Sequence, residues 1–338
     1  MAWLNRTKAE PSPLEGVDAL LTDLDGVVYR GKHAVDHAVD SLNAAAGSVR
    51  VGYITNNASR TAATVAAQLR ELGLKVQEDD VVTSPQAAIG VLAAQVPPGS
   101  RVLVVGGEGL TSVLEAAGFE VVRKAADRPA AVIQGFHPDV GWRDLAEAAL
   151  ALQGEGAERP WVATNTDWTI PIEGGLGPGN GTLVSAVHTA VGRLPVFAGK
   201  PEVPIFEEAV RRFGARSPLM LGDRLDTDVL GANRAGIPSA LVLTGVDRAK
   251  QLLAAGEDSR PRYILGDLRQ LHEPYPATQT RRDGSVQVRS ARVRLSGVQL
   301  EILEEGTEPL DLLRAACAAI WASGLAIWAL KVPEQLYS

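Results

Sequence analysis

The chain has 338 residues, of which 46% are hydrophobic and 22% charged, and this ordinary globular usage excludes a largely disordered protein. A formal net charge of -7 provides no broad attraction to phosphate backbones or anionic lipid, so we expect neither nucleic acid nor a membrane as a partner. The length predicts two or three compact units.

The first residues bear on the cellular location, and the single cysteine bears on disulfide bonding. Met1 to Pro13 lacks the apolar segment of a secretory signal, and no stretch approaches the ~20 apolar residues that cross a bilayer. A cytoplasmic protein is therefore expected. Cys317 cannot form an internal disulfide, and its Ala/Leu-rich surroundings predict a small buried side chain.

Short Val/Ile/Leu-rich runs alternate with helical segments from Leu14 to about Asp267. This alternation predicts βαβ units, and hence an α/β fold with a Rossmann-like parallel-sheet core. Ligands of such sheets bind beyond the carboxyl ends of the strands, so the turns that follow the strands should hold the chemistry. The predicted strands are Ala19 to Thr22, Val51 to Thr55, Leu219 to Leu221 and Ala240 to Thr244.

A second alternating series interrupts the first and predicts an inserted α/β cap domain. Turn residues near Ser84-Pro85 and Arg193-Leu194-Pro195 mark its junctions. We therefore predict a core of residues 14–84 and 194–271 and a cap of residues 85–193. The expected cap elements are strands at Arg101 to Val105, Ala131 to Gln134 and Trp161 to Thr164, and helices at Gly109 to Ala117 and Trp142 to Gln153.

A polar linker follows Leu271 and precedes a third, smaller unit. Alternating residues run from Val286 to Leu303, a helical pattern spans Pro309 to Ala322, and an apolar run closes the chain from Leu325 to Val332. The predicted order is ββαβ. Residues 284–338 should thus form a C-terminal α+β accessory domain, similar in element order to part of an acetyltransferase-like fold.

Asp23 and Asp25 end the first predicted strand, and Gly26 after them allows a sharp turn. Two adjacent carboxylates repel one another unless a cation lies between them, and oxygen ligands suit Mg²⁺. In a chemical interpretation, Asp23 attacks phosphorus to form an acyl phosphate, and Asp25 acts as general acid and base. The alternative is a turn with two solvated aspartates.

Three further segments favour phosphoryl transfer. Thr55-Asn56-Asn57 offers donors for phosphate oxygens, and Lys200, between Gly199 and Pro201, offers a positive point charge. Gly222-Asp223, with Asp226 and Asp228, supplies another hard ligand and acceptors around a metal-bound water. Each segment alone could be an ordinary loop, but all four in this order favour one phosphate site.

In these motifs the chain resembles the haloacid dehalogenase-like phosphatases over Leu14 to about Leu271. The resemblance implies that Asp23 is nucleophile and metal ligand, that Asp25 binds metal through its carbonyl, and that Asp223 completes the ligand set. Asp228 would order a metal-bound water. The implied phosphate-binding residues, of which Thr55 and Lys200 are also catalytic, are Gly26, Thr55, Asn56, Asn57 and Lys200.

Two segments narrow the resemblance to a subgroup. Thr164-Asn165 followed by Pro178-Gly179-Asn180 is similar to 4-nitrophenyl, phosphoglycolate and glycerol-phosphate phosphatases, and Pro309 to Cys317 resembles the tail of actinobacterial glycerol-3-phosphate phosphatases. The implied substrate is the small metabolite glycerol 3-phosphate, with phosphoglycolate, pyridoxal or sugar phosphates as alternatives. Similar enzymes form dimers through the cap, so a homodimer is a further expectation.

The cap loops contain Asn165, Asp167 and Asn180 as predicted ligands of substrate hydroxyls. The alternative role of these side chains is to cap helices and to shape turns. Cap closure itself would exclude water from the phosphoryl-transfer site.

Other functions fit less well. The spacing in Gly106-Gly107-Glu108-Gly109 is not that of a dinucleotide-binding loop, and His33 with His37 does not make a zinc site. The acidic turn Glu304 to Pro309 has one glycine, whereas a coenzyme A site needs a glycine-rich loop, so the third unit should be structural or bind a partner. A catalytically silent phosphometabolite-binding protein and a phosphomutase remain alternatives.

Overall fold

A computed structural model describes residues 11–337 of the chain. Most of the segment Met1 to Pro13, in which the sequence predicts no secretory signal, lies outside the described residues, as does Ser338 at the end of the predicted accessory domain. None of the helices in the described range is long and apolar enough to cross a membrane.

Strands account for much of the described chain. Residues 11–337 contain nineteen strands: β1 (Ala19–Thr22), β2 (Tyr29–Arg30), β3 (His33–Ala34), β4 (Arg50–Thr55), β5 (Val81–Thr83), β6 (Arg101–Val105), β7 (Glu120–Val122), β8 (Ala131–Gln134), β9 (Trp161–Ala163), β10 (Thr169–Ile172), β11 (Gly175–Pro178), β12 (Val196–Phe197), β13 (Pro218–Gly222), β14 (Ser239–Val242), β15 (Tyr263–Leu265), β16 (Thr278–Thr280), β17 (Val286–Val288), β18 (Ala291–Ser296) and β19 (Gln299–Glu304).

Helices lie between most of the strands. The same range contains ten α-helices: α1 (Ala38–Ala45), α2 (Ala62–Glu71), α3 (Ser84–Ala93), α4 (Glu108–Ala116), α5 (Trp142–Ala151), α6 (Asn180–Val191), α7 (Val203–Phe213), α8 (Leu230–Arg234), α9 (Ala249–Leu253) and α10 (Pro309–Ser323). A single turn of π-helix, Leu225–Val229, precedes α8. The contacts divide the chain into two compact units, residues 11–51 with 217–337 and residues 52–216.

The first unit contains a parallel sheet in the order β15-β14-β13-β1. Strand β1 pairs with β13 so that Thr22 lies opposite Leu221, and all four residues of β1 are buried. Strands β13, β14 and β15 continue the parallel arrangement. The prediction of a parallel-sheet α/β core is therefore confirmed.

The C-terminal part of the first unit is an antiparallel sheet, in the order β16-β17-β18-β19, with α10 against β17 and β18. Its apolar face and the parallel sheet share one buried cluster, in which Leu241 and Ile264 accompany Val293 and Leu313. Cys317 belongs to the same cluster and is fully buried, as predicted. Burial raises the pKa of its thiol.

The predicted ββαβ order of this part is wrong. Four strands precede α10, and the apolar run after it forms a 3₁₀ turn, Ile327–Ala329, and a single bridge between Lys331 and Gln299. Pro333 follows closely and lacks the N–H that a longer ladder needs. The extra strand β16 is fully exposed, so its sequence carried no apolar alternation to reveal it.

Two side chains form hydrogen bonds with the backbone of the edge strand β15. The backbone N–H of Ile264 donates to the Tyr275 hydroxyl at 3.0 Å, and its carbonyl accepts from Nη2 and Nε of Arg314 at 2.6 and 3.1 Å. Arg314 also forms an ion pair with Asp311 at 2.8 Å, and both of these side chains are buried. Helix α10 is thus fixed to the edge of the parallel sheet.

The second unit contains a five-stranded parallel sheet in the order β12-β9-β8-β6-β7, which confirms the predicted second α/β series. Strands β4 and β5 pair in parallel, with Thr55 opposite Thr83. The hairpin of β10 and β11 was not predicted. Strand β12 lies beyond the predicted junction near residue 193, and the domain boundaries themselves stay a prediction.

Candidate active site

Asp23 lies at the carboxyl end of β1, beside the end of β13. Its backbone N–H donates to the carbonyl of Leu221 at 2.8 Å, which continues the strand pairing by one residue. Because the two strands are parallel, Asp23 and Asp223 leave the sheet at the same edge. Both side chains are buried, with 9% and 1% exposure. The sequence-based placement of these two residues at one site is consistent with this geometry.

A third buried carboxylate, Asp228, joins them. Each of the three residues offers an oxygen atom, and these oxygens lie within 4.8 Å of one another. Buried carboxylates at this spacing repel unless a cation or proton lies among them. An all-oxygen donor set of this kind fits a hard divalent cation such as Mg²⁺. The site therefore has the chemistry of a metal-binding cluster.

Asp228 supports the ligand loop from within. Its Oδ2 accepts hydrogen bonds from the backbone N–H groups of Asp223 at 3.2 Å and of Arg224 at 3.1 Å. The neighbouring Asp226 instead pairs with the Arg224 guanidinium at 2.7 Å. This hydrogen bond lowers the pKa of Asp226. The π-helix thus presents one of its two carboxylates to the cluster and the other to Arg224.

Three glycines border the carboxylates. A Cβ atom on Gly26 or Gly245 would overlap the side chain of Asp223, and one on Gly222 would overlap that of Asp228. Gly26 also has a φ of +82°, which disfavours other residues. The close packing leaves no room for larger residues at these positions. Gly245 was not singled out in the sequence, although it follows the strand β14.

The loop after β14 contains two further contacts that sequence reasoning missed. The backbone N–H of Val246 donates to Oδ2 of Asp223 at 2.7 Å, and Oδ2 of Asp247 accepts from the N–H of Leu225 at 2.6 Å. Burial raises the pKa of Asp247, while its hydrogen bond from Leu225 opposes that rise. This loop therefore orients Asp223 and holds the start of the π-helix.

Asp25 differs from its neighbour in burial. Its side chain is exposed and does not belong to the group of three carboxylates, while its backbone forms a bridge to Tyr29. The adjacent carbonyl of Gly26 accepts from the Thr244 hydroxyl at 2.8 Å, which fixes the turn. The roles of Asp25 as general acid, general base and carbonyl ligand of the metal stay predictions.

Thr55 and Asn57 shape the loop that follows β4 in the second unit. The Thr55 hydroxyl accepts from the N–H of Asn57 at 3.1 Å, and its side chain is buried. Oδ1 of Asn57 accepts from the N–H groups of Ser59 at 2.9 Å and Arg60 at 3.2 Å. Asn57 therefore forms a side-chain turn that orients the loop. Phosphate binding by these two residues stays a prediction.

Asn56 joins this loop to Lys200. Its Oδ1 accepts from the backbone N–H of Lys200 at 2.8 Å, and its Nδ2 donates to the Lys200 carbonyl at 3.0 Å. The same Nδ2 donates to Oδ1 of Asp167 at 3.0 Å. The Lys200 side chain is itself buried. Residues far apart in the sequence thus meet at one asparagine.

The predicted cap ligands take part in the same network. Nδ2 of Asn165 donates to the Asn56 carbonyl at 2.7 Å, and Oδ1 of Asn165 accepts from the N–H of Asp167 at 3.1 Å. Asn180, the first residue of α6, donates to the carbonyl of Asn165 at 2.9 Å. These bonds agree with the alternative of turn shaping, and contact with substrate stays a prediction.

Family models match both sequence segments that contain the motifs. Residues 20–120 match the model described as haloacid dehalogenase-like hydrolase, and residues 197–271 match a second model described as HAD-hydrolase-like. The matched segments include Asp23, Thr55, Lys200 and Asp223. The match therefore agrees with the resemblance that the motifs indicated.

Relatives resemble the chain over most of its length. It is 46% identical over 312 residues to a D-glycerol 3-phosphate phosphatase of Mycobacterium tuberculosis, covering 90% of this chain and 86% of that one. It is 38% identical over 272 residues to a glycerol-3-phosphate phosphatase of Gallus gallus, covering 73% and 86%.

A solved structure gives the same result. The crystal structure of an M. tuberculosis glycerol phosphate phosphatase in complex with magnesium has a TM-score of 0.84 at 43% identity, and the match covers 94% of each chain. Together with the carboxylate cluster at the ends of β1 and β13, these similarities show that the chain belongs to the haloacid dehalogenase-like hydrolases.

Proposed function

We propose that this chain is a Mg²⁺-dependent phosphatase that hydrolyses glycerol 3-phosphate to glycerol and inorganic phosphate through an aspartyl-phosphate on Asp23. The observation that carries the proposal is the buried group of Asp23, Asp223 and Asp228 at the ends of two paired strands. Three buried carboxylates without a cation would be costly, and a nucleophilic carboxylate beside a metal suits phosphoryl transfer through an aspartyl-phosphate.

The metal would be held by Asp23, Asp223 and the carbonyl of Asp25. When bound, Mg²⁺ would offset the negative charges of the carboxylates and of the phosphate, so that an anionic nucleophile can approach phosphorus. Asp228 would keep Asp223 in place through its bonds to the N–H groups of residues 223 and 224.

Asp23 would act in the first step. One of its carboxylate oxygens forms a bond to phosphorus while the bond from phosphorus to the glycerol oxygen breaks. The leaving oxygen takes a proton from Asp25, and glycerol departs. Exposure of the Asp25 side chain agrees with a group that exchanges protons with substrate and solvent.

Water completes the reaction. Asp25, now ionised, removes a proton from a water molecule, whose oxygen attacks phosphorus and displaces the Asp23 carboxylate. Inorganic phosphate leaves, and Asp23 and Asp25 return to their starting states. Thr55 and Lys200 would hold the phosphoryl oxygens during both steps, and burial of both side chains supports such a role, since charge interactions are stronger away from water.

Glycerol 3-phosphate is proposed as the substrate because two relatives that match most of the chain are named for it. Asn165, Asp167 and Asn180 are the proposed contacts for the glycerol hydroxyls. Phosphoglycolate, pyridoxal phosphate and sugar phosphates are the competing substrates. The order of preference among them is decided by the shape and donors of the inserted segment.

Phosphate release from this panel of esters, with Mg²⁺ and with a chelator, tests the proposal. We expect Mg²⁺-dependent turnover with the highest kcat/KM for glycerol 3-phosphate. Strong preference for another ester would remove the substrate assignment, and absence of turnover with every ester would favour a silent phosphometabolite-binding protein.

The nucleophile has its own test. Asp23→Asn should lower kcat by at least about 10³-fold, because an amide cannot form the acyl phosphate. Asp226→Asn is the matched control, because the Asp226 carboxylate pairs with Arg224, and this variant should retain near-normal turnover. Near-normal turnover of Asp23→Asn itself would exclude the covalent mechanism.

Two further proposals come from the sequence. A cytoplasmic location and a homodimer are both proposed, and fractionation and light scattering of the purified protein test them. A protein that is monomeric at micromolar concentration would remove the second proposal.

A further inference from the structure

The side chain of Asn56 pairs with the backbone of Lys200 at two points. Oδ1 of Asn56 accepts from the Lys200 N–H at 2.8 Å while Nδ2 donates to the Lys200 carbonyl at 3.0 Å. The two bonds have opposite polarity, so they fix the orientation of the amide as well as its position. A side chain here does what a neighbouring strand does elsewhere, since it satisfies both backbone groups of one residue.

The remaining donor of Asn56 is also occupied. A primary amide has two N–H donors, and Nδ2 uses them on the Lys200 carbonyl and on Oδ1 of Asp167 at 3.0 Å. No N–H of this side chain is left for a phosphate oxygen. A substrate oxygen could bind the side-chain amide only in place of one of these two bonds, and substrate binding by Asn56 stays a prediction.

The surroundings hold Asn56 from the other side. Its carbonyl accepts from the Ser84 hydroxyl at 2.7 Å and from Nδ2 of Asn165 at 2.7 Å. A Cβ atom on Gly199 would lie 2.6 Å from Oδ1 of Asn56, so only glycine allows this approach. The close contact and the five hydrogen bonds together hold Asn56 in one position.

We propose that Asn56 is a positioning residue that fixes the backbone of Lys200, and that Asp167 in turn fixes Asn56. The proposal rests on the proposed function in one respect, which is that Lys200 holds the phosphoryl group. Asp167 belongs to the inserted segment, so a change at Asp167 can reach the Lys200 backbone through Asn56. Substrate selection and phosphate binding would then be coupled by contacts already present in the second unit.

A double-mutant cycle between Asn56 and Lys200 tests the first half of the proposal. With 4-nitrophenyl phosphate as substrate, Asn56→Ala should lower kcat by up to about 100-fold in the native background, because a small misplacement of the lysine weakens transition-state contacts. In a Lys200→Met background the same change should lower kcat less than about 3-fold. An equal effect in both backgrounds would overturn the proposal.

Asn57→Ala is the matched control for the loss of an asparagine from the same loop. Asn57 makes its contacts to Ser59 and Arg60, so its effect should be the same with and without Lys200. Thermal melting of each variant separates misplacement from unfolding. A fall in kcat that follows the melting temperature in every variant would also overturn the positioning role.

An exchange of the two polar side chains tests the second half. Asn56→Asp places two carboxylates together and should lower kcat strongly, and Asp167→Asn should then restore part of the loss in the double variant by supplying an amide donor. Rescue should remain partial, because the Lys200 carbonyl still lacks its donor. Absence of any rescue would show that Asp167 does not position Asn56.

Failure of the inference can be told apart from failure of the proposed function. A chromogenic ester reports the chemistry without glycerol, so the cycle does not depend on the natural substrate. If no ester is hydrolysed, calorimetric binding of inorganic phosphate replaces kcat in the same cycle. Asn56→Ala should then weaken phosphate binding only when Lys200 is present, and equal weakening in both backgrounds would overturn the inference.

Discussion

The carboxylate of Asp228 accepts a hydrogen bond from the backbone N–H of Asp223 at 3.2 Å, so one acidic residue holds another in position. Both lie in a loop where like charges would otherwise drive the chain apart. The second bond, from the N–H of Arg224 at 3.1 Å, shares the charge of Asp228 with the backbone. Hydrogen bonds from the backbone amides of the loop therefore hold the Asp228 carboxylate in place.

Removal of the Asp228 charge should weaken metal binding. Asp228→Asn can still accept from the two N–H groups but no longer adds a negative charge to the cluster, and the Mg²⁺ concentration for half-maximal activity should rise about 10- to 100-fold. Asp226→Asn is the control in the same helical turn and should leave that concentration unchanged. Equal Mg²⁺ requirements for Asp228→Asn and the native protein would contradict the supporting role.

Crowding at Gly245 should disturb the same cluster. A Cβ at Gly245 overlaps the carboxylate of Asp223, so Gly245→Ala should raise the required Mg²⁺ concentration at least about 10-fold and lower stability by about 1–3 kcal/mol. Gly256→Ala adds a Cβ with no atom within 4 Å and serves as the control. Titration of activity with Mg²⁺ and urea unfolding measure both effects, and a harmless Gly245→Ala would refute the packing argument.

Loss of the Arg314 guanidinium should destabilise the first unit. Arg314→Met leaves the buried carboxylate of Asp311 without its close partner, which should lower the free energy of unfolding by about 3–5 kcal/mol. Arg289→Met, at a half-exposed residue 3.4 Å from Asp311, should lower it by only about 0–1 kcal/mol. Urea unfolding measures the loss of stability in both variants. Similar midpoints would contradict the larger contribution expected of Arg314.

Deletion of residues 284–338 should expose the core rather than release an independent domain. Leu252, Leu253 and Ile264 share one buried cluster with residues of β18 and α10. The truncated protein should bind a hydrophobic dye and lose its cooperative melting transition. A folded and fully active truncated protein would show that the C-terminal sheet is dispensable.

Sequence patterns predicted the parts of the molecule that rest on local periodicity. Strand β1 is a mostly apolar run that ends directly before Asp23, and the acidic loop follows the similar run of β13. Such runs are typical of strands buried on both faces. The order of motifs then placed Asp23 and Asp223 in one site, and the geometry agrees with that placement.

Features that depend on distant residues could not be predicted. The side-chain N–H groups of Asn56 bond to Asp167 and Lys200, which lie 111 and 144 positions away in the sequence. No local sequence pattern reveals these bonds. The hairpin of β10 and β11 has exposed residues and several glycines, which hide strand periodicity. Asp247 was missed because its partner, the N–H of Leu225, carries no side-chain signal.

The side chains of Tyr275 and Arg314, which bond the backbone of Ile264, limit how copies of this protein can associate. An edge strand with a free N–H and a free carbonyl is a template on which a second chain can extend the sheet. At β15 both groups of Ile264 are already bonded, to Tyr275 and to Arg314. A homodimer built by continuing the parallel sheet past β15 would first have to displace α10. A dimer that extends a sheet must therefore use an edge other than β15.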